Sequence, residues 1–137
     1  MLMMRKRAVA AAVTLGVAGA LSVVATGTAH ADLAACQSSS SQYGGWQCTN
    51  DYAPVWALHS DGTKSVMGYV YAGDNGFGCR TDDPTWGDNG EGSGPHPYRW
   101  LFTTPDVVTD SSWGTQGWMS DVDISSDTDP VTGCLPG

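Results

Sequence analysis

The sequence predicts an all-β protein. Beyond residue 31 no stretch has helical periodicity, and Gly, Pro, Ser, Asn and Asp recur every eight to twelve residues, which is the spacing of turns between short strands. The apolar residues agree with this. After residue 31 there is one isoleucine, Ile124, and four leucines, whereas six tryptophans, five tyrosines and two phenylalanines carry most of the burial capacity. Aromatic side chains fit a pleated, half-buried surface.

Residues 52–58 predict a first strand, closed by His59-Ser60-Asp61-Gly62, where Asp-Gly supplies turn chemistry. Residues 66–71 predict a second, with Val66, Gly68 and Val70 on one face and Met67, Tyr69 and Tyr71 on the other. Gly73-Asp74-Asn75-Gly76 carries an Asn-Gly pair and predicts a hairpin turn into a third strand at 77–81. Residues 82–97 are rich in Gly, Pro and Asp and predict a long internal loop. Residues 98–103 predict a fourth strand, 104–115 a polar loop and 116–120 a short fifth strand. Five short strands with a long internal loop are the inventory of a small barrel.

The N-terminus predicts a compartment. Arg5-Lys6-Arg7, an uncharged apolar stretch over 8–25 and Ala29-His30-Ala31 have the layout of a signal peptide cut after residue 31. The expected organisation is a signal peptide at 1–31, a Ser-rich arm with a small disulfide loop at 32–53, and one barrel domain at 54–137. The expected location is secreted and extracellular, with no membrane span once the signal is removed. All 14 acids lie beyond the signal but only Lys64, Arg80 and Arg99 among the cations, so the remainder carries a net charge of −11. Phosphate binding needs clustered cations, which excludes nucleic acid as the expected partner.

Cys36, Cys48, Cys79 and Cys134 form an even set in a small exported chain and predict two disulfides. Three pairings are possible. Closeness in sequence favours Cys36 with Cys48, which leaves Cys79 to tie an internal strand to the C-terminal tail at Cys134. No Cys-x-x-Cys pair exists to hold zinc.

No catalytic set, cofactor or metal is expected. Paired cysteines leave no thiol for His59 or His96 to activate. The carboxylates Asp82-Asp83 and Asp88 with Glu91 fall in Gly- and Pro-rich sequence with few apolar neighbours to raise a pKa. Asp121, Asp123, Asp127 and Asp129 approach a calcium loop, but Ser126 stands where the turn glycine belongs and Thr132 where the bidentate Glu belongs. The solvated acidic turn is the preferred reading there. Trp56, Tyr69, Trp100 and Trp118 are expected in the core. Trp86 and Trp113, in polar loops, with Tyr71 and Tyr98 flanking those loops, are the expected ligand-binding residues.

Val66-Met-Gly-Tyr-Val-Tyr-Ala-Gly73 resembles the Val-x-Gly-x-Leu-x-x-Gly strand and turn of bacterial SH3-like domains. Gly117-Trp118-Met119, shortly before Ile124, resembles the closing Gly-Trp-Val strand of that family, and Cys79 and Cys134 stand where small exported members also have cysteines. The resemblance spans about residues 54–134. It implies an SH3-like barrel that binds cell-wall peptide or glycan without catalysis. The first-loop Arg-x-Gly-Pro is missing, with Leu58-His59-Ser60 near its place, and Asp123 replaces an aromatic, so a ligand mode tied to those positions does not carry over. The alternative is a disulfide-stapled secreted effector, such as a protease inhibitor, acting through the loop at 82–97 or at 104–115. Oligomeric state is left open.

Overall fold

The turns place eight strands in one antiparallel sheet. In the computed structural model, which describes residues 33–40 and 45–135, these are β1 (Gln37–Ser38), β2 (Trp46–Asn50), β3 (Ala53–Leu58), β4 (Lys64–Val70), β5 (Gly73–Thr81), β6 (Trp100–Thr103), β7 (Val107–Val108) and β8 (Gly117–Ser120). Their order across the sheet is β1-β2-β5-β6-β8-β3-β4-β7. No α-helix occurs among the described residues, which hold only three-residue 3₁₀ turns at Pro84–Trp86, Ser111–Trp113 and Asp121–Asp123. The expected signal peptide at 1–31 lies outside the described residues.

Two expectations are corrected. The sheet has eight strands instead of five, and it does not close into a barrel. β1 and β7, the outermost strands, are two residues long and do not pair with each other, so too little ladder is available to seal the ends.

The predicted Asn75-Gly76 hairpin turn is also absent, because β5 runs unbroken from Gly73 to Thr81. The Asn75 side-chain amide instead donates to Asn50 Oδ1 at 2.8 Å and to the Tyr71 carbonyl at 2.8 Å. Only Tyr71 and Ala72 separate β4 from β5, and Gly73, with φ of 133°, takes the backbone conformation that a side chain would resist. β5 pairs with β2 and β6 and not with β4.

Residues 46–50, read from sequence as part of an arm, supply a full strand of this sheet, paired with β5 from Trp46↔Phe77 to Asn50↔Gly73. Cys36 and Cys48 are buried and bonded to each other. Cys79 bonds Cys134, and no described cysteine is free. The favoured pairing is the one observed.

The core lies on one face of the sheet. Val55, Met67, Val70, Phe77, Leu101 and Met119 are almost fully buried there, joined by Ile124 and Val131 from the C-terminal segment. Side chains alternate between faces along a strand, so Trp56, Phe102 and Trp118 point the other way. Trp56 and Trp118 are opposite each other across β3 and β8, and Phe102 and Trp118 across β6 and β8, with ring centroids of the latter pair 5.0 Å apart. All three are half-buried, so Trp56 and Trp118 are not core residues in the sense expected. Trp100 shares their face but is completely buried, because the long loop lies over it and the Gly87 carbonyl accepts its indole N–H at 3.1 Å.

That loop is fastened by polar groups. Asn89 Nδ2 donates to the His96 and Arg99 carbonyls, and Ser120 Oγ donates to the Asn89 carbonyl. The Arg99 guanidinium is almost fully buried and donates to Asp82, Thr128 and Asp129 at 2.8–2.9 Å. Hydrogen-bonded carboxylates on two sides offset much of the cost of burying a charge. The C-terminal tail runs beside β5, where the Arg80 N–H donates to the Thr132 carbonyl and the Cys134 N–H to the Arg80 carbonyl.

Candidate binding site

At the far end of β4, three tyrosines stack. Tyr52, in the bend between β2 and β3, lies nearly parallel to Tyr69, with centroids 5.5 Å apart and planes 3° apart, and stacks on Tyr71 at 6.3 Å and 24°. Proline at position 54 faces Tyr69 in the β3–β4 ladder. Tyr52 is 60% exposed and Tyr71 56%. Rings this open are not held by core burial, so their mutual stacking is what orders them.

Beside the stack is an open cleft of about 330 Å³ lined by Asn75, Gly76, Thr103, Thr104, Pro105 and Asp106. Its two walls grip the main chain of Tyr71. The Tyr71 N–H donates to Asp106 Oδ2 at 2.8 Å, and its carbonyl accepts from Asn75 and, at 3.2 Å, from Asn50. The Asp106 N–H donates to the Tyr69 carbonyl. Asp106 is exposed, and its Oδ1 receives no protein donor among the described residues.

This end of the molecule is electronegative. Asp51 precedes Tyr52 in the chain and Asp106 accepts from the Tyr71 N–H, while Asp74 accepts from Thr49 Oγ1 and the Asp51 N–H donates to the Asp123 carbonyl. The Asp123 carboxyl is pushed above its ordinary value by burial and then by the negative charge of Asp51. No described arginine or lysine pairs with any of the four. Arg80 and Arg99 are engaged with Asp82 and Asp129, and Lys64, at the opposite end of β4, holds its ammonium 5.1 Å from the Trp56 ring and 5.8 Å from Trp100.

Of the four residues expected from sequence to bind ligand, only Tyr71 joins this site. Trp113 is 47% exposed but tilts against His59, centroids 4.6 Å apart. Trp86 is half-buried in a 3₁₀ turn, and Tyr98 stands 40% exposed just before β6. Neither Tyr52 nor Tyr69 is among the residues that the sequence marks for ligand binding. Tyr69, expected in the core, is instead half-buried and stacked on Tyr52, which it meets only through the β3–β4 register, and that register carries a bulge between Val55 and Trp56 that no local sequence signal announces.

The other polar candidates serve turns and ion pairs. Asp83 caps the 3₁₀ turn by accepting from the Thr85 N–H, Asp88 accepts from Gly90 and Glu91 from His96. His59 Nε2 lies 3.1 Å from Ser65 Oγ, and His96 Nε2 lies 3.1 Å from Asp129 Oδ1. The four acids of the calcium-like segment diverge. Asp121 accepts from Thr128 Oγ1, Asp127 from the Asp129 N–H, Asp129 pairs with Arg99, and Asp123 faces Asp51.

No family model matches the chain, and neither the curated proteins nor the solved structures contain a match to it.

Proposed function

We propose that this chain is a secreted, non-catalytic, SH3-like binding module that holds an extracellular polymer, cell-wall peptide or glycan, across the tyrosine stack and its cleft. The observation that carries this reading is the pair of well-exposed rings, Tyr52 and Tyr71, ordered beside a polar cleft. Convergent polar groups next to an aromatic surface are the ordinary make-up of a recognition site. Two disulfides are compatible with an oxidising extracellular compartment. The Val66–Gly73 and Gly117–Met119 patterns support an SH3-like relationship, with the sheet open where such a barrel would close.

The test is retention of the protein on purified wall polymers. Wild type is expected to be retained at moderate salt, and Tyr52→Ala with Tyr71→Ala to lower retention by about tenfold, as loss of two stacking contacts implies. Both rings are exposed, so the double variant keeps its thermal midpoint. Absence of any retention of the wild type at low and moderate salt would overturn the reading.

A further inference from the structure

We infer that the cleft beside the tyrosine stack, whose lining ends at Asp106 immediately before β7, takes an extended peptide bearing an ammonium side chain, seated on the Asp106 carboxylate against Tyr71. This rests on the binding-module reading above and narrows it to one ligand class.

Charge complementarity sets the sign of the ligand. Near the tail, Asp82 and Asp129 are neutralised by arginine. Asp51, Asp74, Asp106 and Asp123, toward the tyrosine end, pair with no cation among the described residues. A net charge of −11 beyond the predicted signal repels anionic ligands and draws cationic ones. The exposed Asp106 carboxylate would accept a charge-assisted hydrogen bond from an ammonium, and the adjoining Tyr71 face would add a cation–π contact.

The neighbouring sheet edge favours peptide over sugar. A peptide has a second point of attachment. β7 is an edge strand with β4 as its sole neighbour, its valines are 38% and 43% exposed, and it begins directly after Asp106. An added strand along β7 would gain main-chain hydrogen bonds while a lysine-like side chain reached back to the carboxylate.

The experiment titrates the full protein with a short synthetic peptide, blocked at both ends and containing one central lysine. The same peptide with an acetylated lysine and a partly deacetylated chito-oligosaccharide are the comparison probes. Acetylation is expected to weaken binding by about tenfold or more, since it removes both the charge and the cation–π contact. Asp106→Asn is expected to weaken the lysine peptide to a similar degree with an unchanged thermal midpoint, because Asn Oδ1 can still accept the Tyr71 N–H. Equal affinity for the free and acetylated peptides overturns the ammonium seat, and tighter binding of the amino-sugar probe overturns the peptide assignment. Either result leaves the binding-module reading standing if retention on wall polymers persists. Loss of both retention and peptide binding overturns the two together.

Discussion

Arg99 Nη1 donates to Asp129 Oδ1 at 2.8 Å, and this contact joins the entry to β6 with the C-terminal tail. Arg99 is also bound to Asp82 and to Thr128, whose hydroxyl in turn donates to Asp121. One buried guanidinium thus fastens the long loop, a strand and the tail at a single point.

Arg99→Ala is therefore expected to destabilise strongly. It deletes three hydrogen bonds at a buried charge and the packing of the side-chain stem, a loss of about 2–4 kcal/mol. Asp129→Asn is expected to cost under about 1 kcal/mol, because Asp129 is largely exposed and Asp82 remains paired with Arg99. Urea unfolding of the two variants checks the order. An Asp129 variant as damaging as the Arg99 variant would show that the tail contact, and not the buried cation, holds the region.

The Asp121 carboxyl is raised above its ordinary value of 3.8, chiefly by burial, against the pull of Thr128 and Arg99. The folded state therefore holds this proton more tightly than the unfolded state. The associated stability is fully present below the unfolded value and is lost as pH rises through the folded one. Asp121→Asn removes that loss and retains an acceptor for Thr128. Its stability relative to wild type should improve as pH is raised from about 3 to about 7. Asp129 has the opposite sign. Hydrogen bonding to Arg99 lowers it, so its contribution is present above 3.8 and lost as pH falls through its lower folded value. Asp129→Asn should lose least relative to wild type at the acid end. Parallel pH dependence in the two variants would contradict the opposed directions.

The disulfides close loops of different length, with sequence separations of 12 and 55. On the loop-entropy account, replacing Cys79 and Cys134 together should cost about 4 kcal/mol, and replacing Cys36 and Cys48 about 3. Calorimetry of the two double-alanine variants gives the comparison. The short loop has a further consequence, because Cys36 and Cys48 are both packed in the core beside Val131 and Ile124. A larger cost at Cys36 and Cys48 would mean that packing, and not chain entropy, dominates.

How much of this was legible follows from what each signal physically encodes. Alternation and turn residues mark where a chain is extended, and they located β3, β4, β5, β6 and β8 to within a few residues. They carry no information about which strands become neighbours. Asn75-Gly76 has the composition of a turn, yet the Asn75 amide is used by Asn50 and Tyr71, partners set by the fold. Residues 46–50 contain only two strongly apolar side chains, Trp46 and Cys48, so β2 leaves little trace until its partner β5 is known. The tyrosine site was half legible for the same reason. Tyr71 was singled out by its place beside a loop, whereas Tyr52 and Tyr69 gain their meaning from register.

Glycine positions give the sharpest test of that register. A Cβ on Gly68 would run into the Val107 carbonyl and come within 2.9 Å of Pro105 Cβ. The obstacle is backbone, which cannot turn aside as a side chain does, so Gly68→Ala should push β7 off the sheet edge. The expected cost is about 1–3 kcal/mol, with faster hydrogen exchange at Asp106 and Thr109, whose N–H groups donate to the Tyr69 and Met67 carbonyls. Gly117 is more confined. A Cβ there meets Met67 Sδ, stands 2.7 Å from the Trp56 carbonyl and 2.9 Å from Val55 Cγ1, so Gly117→Ala strikes the core and the β3–β8 contact together. Gly45→Ala meets nothing within 4 Å and should be near neutral. If Gly68→Ala exchanged like Gly45→Ala, β7 would not lie against β4 as described, and the edge beside Asp106 would lose its basis.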